Sequence, residues 1–117
     1  MNILEVLKKV KNSLEVTSPI MEGRSKGSLV LNVDMTIDNW DYLTDREKND
    51  DYVVFTIKED SYNFYFGGSI ITDKFKKIDL MGDETVGVLK ANGIPVIFEE
   101  KKSKNSGMKY HDMIIKA

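Results

Sequence analysis

Tyr52-Val-Val-Phe-Thr-Ile-Lys-Glu-Asp-Ser-Tyr-Asn-Phe-Tyr-Phe66 consists of two apolar, β-branched and aromatic runs separated by a short polar interval. Such runs with a tight polar turn at Glu59, Asp60 and Ser61 predict a β-hairpin of strands 52–58 and 62–66. If the turn spans 58–61, Ile57 faces Tyr62, Phe55 faces Phe64 and Val53 faces Phe66, and that face belongs in the core. The opposite face then presents Tyr52, Val54, Thr56, Asn63 and Tyr65.

The pattern extends in both directions from this hairpin. Upstream, Leu29, Leu31, Val33, Met35 and Ile37 alternate with other residues and predict a half-buried strand over 28–37. Residues 38–51 lose the alternation and crowd polar side chains, so a long acidic loop with a helical turn begun by Thr44 is expected there. Downstream, Gly67-Gly68-Ser69 predicts a sharp strand-to-helix turn, and Ile70, Ile71, Phe75, Ile78 and Leu80 predict a short helix over 69–80. A further helical turn over 83–91 ends at Asn92 and Gly93. Two last strands, 94–100 and 108–116, flank the basic loop Lys101-Lys-Ser-Lys-Asn-Ser-Gly107.

The chain begins with Ile3, Leu4, Leu7, Val10 and Leu14 at helical spacing, the stripe of an amphipathic helix over residues 1–15. Asn2 stands at the N-cap position, with Glu5 three residues on. Residues 16–27 read as a connector, and 28–116 as the body of a single domain covering 1–117. The expected fold is mainly β with flanking helices. After the N-terminal helix the order is β-β-β-α-β-β, that of a five-stranded OB-like barrel, although a meander with helices or an α+β sheet has the same order.

The 117 residues are 41% apolar and 31% charged, with a formal charge of −2. That composition fits one soluble domain with a real core. The absence of cysteine excludes zinc ribbons, iron–sulfur clusters, disulfide scaffolds and thiol nucleophiles. The longest apolar run is four residues, far short of the roughly 20 of a membrane span. Glu5, Lys8 and Lys9 stand where a signal peptide is apolar, so the cytoplasm is the default location. Charge is uneven: residues 1–26 carry +2, 27–60 carry −6 and 61–117 carry +2.

Little points to catalysis. His111 is the sole histidine, reads as an ordinary strand residue, and no Gly-x-Ser-x-Gly motif accompanies it. Asp34, Asp38, Asp41, Asp45, Asp50 and Asp51 do not match a calcium loop and read as solvated. No metal or other cofactor is expected, nor an enzyme. Gly67-Gly68-Ser69 lacks the continuation of a phosphate loop, although amides at the following helix could receive one phosphate.

Basic and aromatic residues do interleave, as binding of a single nucleic-acid strand requires. Lys101, Lys102, Lys104 and Lys109 surround the last hairpin loop beside Tyr110, while Lys74, Lys76 and Lys77 surround Phe75. Lysines at a hairpin tip also serve solubility and block edge pairing. Tyr65 and Tyr52, on the outer face by parity, and Trp40, in the expected loop, complete the aromatic candidates. Trp40 fits a buried anchor as well as a stacking platform.

Three stretches carry a family resemblance: Tyr52 to Lys58, Tyr62 to Asp73 and Lys101 to Tyr110. Together they resemble small single-stranded-DNA-binding proteins of phages and mobile elements in Gram-positive bacteria, across roughly the last 65 residues. The resemblance implies non-catalytic binding of single-stranded DNA, or of RNA, in replication, with lysines on phosphates and aromatics under bases. The competing expectation is a protein-interaction adaptor or inhibitor of a mobile element, whose acidic middle meets a basic partner. Either role admits a homo-oligomer or a protein partner, and neither needs a membrane.

Overall fold

The computed structural model describes residues 2–7, 18–45 and 50–116. Among the described residues six strands form one open sheet in the order β1-β4-β3-β2-β5-β6. They are β1 (Ser25–Lys26), β2 (Asp34–Asp45), β3 (Asp50–Ile57), β4 (Asp60–Phe66), β5 (Ile94–Lys102) and β6 (Lys109–Ile115). Two helices, α1 (Ser69–Asp79) and α2 (Asp83–Asn92), connect β4 to β5. All neighbours pair antiparallel except β1 with β4, which pair in parallel. The expected β-rich body with flanking helices is present, with one strand more than the sequence pattern suggested.

The N-terminal segment starts as expected: residues 3–7 are helical, and the Glu5 amide donates to Asn2 Oδ1 at 2.9 Å. Residues 8–15 of the expected helix lie outside the described residues, as do 46–49 of the expected acidic loop. The rest of that loop corrects to strand. β2 begins six residues later than its alternation suggested and runs on to Asp45, and β3 resumes at Asp50.

The continuation of β2 past residue 37 escapes the alternation because of a β-bulge. Ile37 pairs with Ile57 but Asn39 pairs with Thr56, so Asp38 is an extra residue in β2. Core-facing positions therefore change from odd (Met35, Ile37) to even (Trp40, Tyr42), and a reading by strict alternation ends at the bulge. Leu29 and Leu31, expected in the strand, pack on the core from the preceding segment, which the Asn32 amide ties to the Phe98 carbonyl at 2.8 Å.

Phe55 is the centre of the core. It is fully buried, with ring centroids of Tyr65, Phe75 and Phe98 at 5.8, 5.7 and 5.4 Å. These rings come from β4, α1 and β5, so one side chain joins three elements to β3. Ile71, Phe75 and Ile78 of α1 and, more loosely, Val86 and Leu89 of α2 cover this face. A smaller cluster on the other face joins Leu43, Val54 and Phe64 under Ile20 and Met21. α2 is a complete ten-residue helix where a single turn was expected. No helix among the described residues is long and apolar enough to cross a membrane.

Truncating a fully buried phenylalanine removes transfer energy and leaves a cavity. Phe55→Ala should therefore lower the unfolding free energy by about 3–5 kcal/mol, measured by urea denaturation. A loss below 1 kcal/mol would contradict its central position.

Candidate nucleic-acid interface

The β5–β6 hairpin carries most of the sequence-identified cations. Lys101 pairs with Tyr110 and Lys102 with Lys109, so side chains of successive pairs leave opposite faces. The tip closes through the Ser103 amide on the Met108 carbonyl at 2.8 Å, with Gly107 at φ +68°. The four lysines thus do not form one patch. Lys101 and Tyr110 share one face, and Lys102 and Lys109 share the other.

Two of the candidate lysines are held by one carboxylate. Lys74 of α1 lies 2.6 Å from Asp112 Oδ1, and Lys101 of β5 lies 2.7 Å from Oδ2. Lys74 also donates to the Met113 carbonyl at 2.8 Å. Burial pushes the Asp112 carboxyl up, but the hydrogen bonds from Lys101, Lys74 and the Met113 amide outweigh it and hold the carboxyl below the usual aspartate range. The same contact with Asp112 raises the Lys101 ammonium. Through Asp112, Lys74 fastens α1 to β6, while Lys101 ties β5 to the same carboxylate. Lys76 meets Asp51 loosely at 3.7 Å, and Lys109 meets Glu100 at 3.5 Å. Lys102 and Lys104 have no carboxylate within ion-pair distance among the described residues.

The aromatic candidates divide more sharply, and two require correction. The β3–β4 pairing shifts just past the turn: Ile57 pairs with Asp60, but Phe55 pairs with Tyr65 and Val54 with Phe66. Tyr65 therefore lies on the core face and is 5% exposed, while Phe64, expected opposite Phe55, turns to the smaller cluster. Gly27 crosses the Tyr65 ring so closely that a Cβ there would lie 2.6 Å from Cε1. The Tyr65 hydroxyl donates to Asp60, and burial, then that contact, push the phenol up to about 12. No base can stack on this ring.

Trp40 is also core, 3% exposed, with its indole N–H donating to Asp79 Oδ1 at 3.0 Å and its ring 5.3 Å from Phe75. The buried-anchor alternative holds for it. Tyr52 is half-buried on the opposite face of the sheet, edge-on to Phe66 at 5.4 Å. Tyr110 alone among the four remains beside the basic hairpin.

Tyr110 lines a cleft of about 410 Å³ between the start of α1 and the hairpin, together with Lys109, His111, Glu100 and Gly68 to Ile70. His111, which the sequence marked as an ordinary strand residue, thus stands beside Lys109. The alternation of 109, 111 and 113 along β6 was the available signal: Met113 is core, so the same face continues past the core into the cleft. Gly67 makes the expected sharp turn, since a Cβ there would lie 2.6 Å from Val53 Cγ1. Among the described residues no group of three or more His, Asp or Glu side chains is arranged to hold a metal ion.

The chain matches no protein-family model, and comparison with curated proteins and with solved structures gives no match either.

The Asp112 cluster has a pH signature. Its carboxyl is depressed in the folded state, so the stabilisation is complete above the ordinary aspartate value of about 4. It disappears as pH falls through the lower, folded value. Asp112→Asn should flatten the acid limb of a denaturation profile below pH 4 and cost about 2 kcal/mol at pH 7, a figure below the usual range for a buried pair because Lys74 and Lys101 are 38% and 40% exposed. An unchanged acid limb would show that the contact does not hold α1 to the sheet.

Proposed function

We propose that this protein binds single-stranded nucleic acid without chemistry, along the outer half of the β5–β6 hairpin and the adjoining cleft. The observation that carries this is the cross-strand pair Lys102 and Lys109. Like charges directly opposite each other destabilise an antiparallel pair, and Glu100 offsets Lys109 only at 3.5 Å. Phosphates arriving there relieve that repulsion, with Lys104 at the tip adding a third cation. Tyr110 offers a ring and His111 a polar edge in the cleft alongside.

The topology supports an OB-like reading of the body. Its five long strands lie side by side in the order β4-β3-β2-β5-β6, and along the chain the helices fall between β4 and β5, the third and fourth long strands. The β5–β6 connection then corresponds to the loop joining strands four and five, one of the two loops that bind oligonucleotides in that fold. Of the three stretches that resemble the phage and mobile-element binding proteins, one, Lys101 to Tyr110, spans this connection.

Fluorescence anisotropy with labelled oligo-dT at two salt concentrations tests the proposal. Three lysines on phosphates predict a log–log salt slope of about −2, at about −0.7 per phosphate. Lys102→Ala with Lys104→Ala should bring the slope to about −0.7 without lowering the melting temperature. Tyr110→Ala should cost about 1–3 kcal/mol of binding. Absence of binding at low salt, or equal slopes for parent and double variant, overturns it.

A further inference from the structure

A second cluster of cations lies away from the hairpin. Arg24, Lys58 and Lys90 converge on a cavity of about 550 Å³ that Asp38, Asn39 and Thr56 also line. It opens beside the bulge in β2 and the end of α2. β5 begins there, at Ile94, and its nine residues carry the chain roughly 26 Å away to Lys102. The two cationic regions are therefore separate.

Backbone carbonyls hold all three cations. Arg24 donates through Nε to Ser61 at 3.1 Å and through Nη1 to Ile20 at 3.0 Å. Lys58 donates to the Asn92 carbonyl at 3.0 Å, and Lys90 to the Trp40 carbonyl at 3.4 Å while standing 4.7 Å above the Trp40 ring. Among the described residues none of the three has a carboxylate within ion-pair distance. Carbonyls fix a side chain without cancelling its charge. Among the described residues Asp38 is the only carboxylate in the lining, and it accepts the Thr56 hydroxyl. The cavity thus holds three positioned cations against one anion.

We infer that this cavity binds the phosphate monoester of a small hydroxylated molecule, of the nucleoside monophosphate type. A phosphoryl dianion matches the surplus of two positive charges, and guanidinium and ammonium donors suit its oxygens. Asp38 Oδ2, which accepts no hydrogen bond among the described residues, and the Asn39 side-chain NH2 supply partners for hydroxyls. The volume lies within the range of small-molecule sites, in a depression that is open to solvent. The cations are too far from the hairpin tip to belong to the same contact, so the inference stands whether or not the hairpin binds a strand.

The test is NMR titration of the whole chain with adenosine 5′-monophosphate, inorganic phosphate, adenosine and oligo-dT, observing the Arg24 Nε–H and the Lys58 and Lys90 ε-methylene signals. The monophosphate should move all three, inorganic phosphate should do so more weakly, and adenosine should move none. Lys58→Gln should weaken the monophosphate roughly tenfold, as should Lys90→Gln if the first variant unfolds. Lys102→Ala with Lys104→Ala should leave it unchanged. No shifts with the monophosphate, equal shifts with adenosine, or shifts with oligo-dT alone overturn the inference.

Discussion

One extra residue in β2 determines how the sheet is assembled. Asp38 has no partner of its own in β3, and the Thr56 hydroxyl donates to its carboxylate at the bulge. Before the bulge β2 pairs with β5 on one side through Asp34 to Ile37; beyond it β2 pairs with β3 alone as far as Asp45. A bulge bends and twists the strand that carries it. Here it lets one strand serve two neighbours while Met35, Ile37, Trp40 and Tyr42 all meet the same core. Removing the extra residue would turn Trp40 and Tyr42 to the opposite face.

That change of face also places the helix. With Trp40 and Tyr42 directed inward, the indole N–H and the phenol both donate to Asp79 at the C-terminal end of α1. Burial, then the contact with Asp79, push the Tyr42 phenol far above its ordinary range, so it remains a donor throughout the physiological interval. Near the start of the helix the Thr72 hydroxyl accepts the Val53 amide at 3.0 Å, and Lys74 reaches the Met113 carbonyl and Asp112. α1 is thereby tied to β2, β3 and β6. The cleft beside Tyr110 exists because its first turn is held against the hairpin.

Legibility in the sequence follows from these local irregularities. The strands β3, β5 and β6 and the helix α1 lie within a residue or two of the pattern because each keeps an unbroken period and ends at a strong turn signal. β2 was half hidden, since alternation cannot be followed across a bulge. Parity places Tyr65 on the wrong face for a related reason: the pairing shift between Phe55 and Ile57 moves β4 past β3, and no residue in the hairpin announces it. Gly27, whose lack of a side chain lets the chain cross the Tyr65 ring, is a signal only once the two are known to meet. Among the cations, Lys102, Lys104 and Lys109 were legible as a group beside a loop. The engagement of Lys74 with Asp112 was not, because the two are brought together only when α1 packs along β6.

Net charge is a poor guide to what such a surface attracts. The formal total is −2, yet both cationic regions carry local excess. Asp38, Asp60 and Asp79 take their hydrogen bonds from hydroxyl, amide or indole groups, and among the described residues none of the three meets a cation. The β5–β6 tip stands roughly 26 Å from the start of β5. A Debye length at physiological ionic strength is about 8 Å, so charges at the far end of the sheet are screened at the hairpin tip, where the local field is set by Lys102, Lys104 and Lys109 together with Glu100. The geometry that extends β5 and β6 beyond the core thus separates a basic tip from an acidic body, and an overall negative charge is compatible with recognition of an anion.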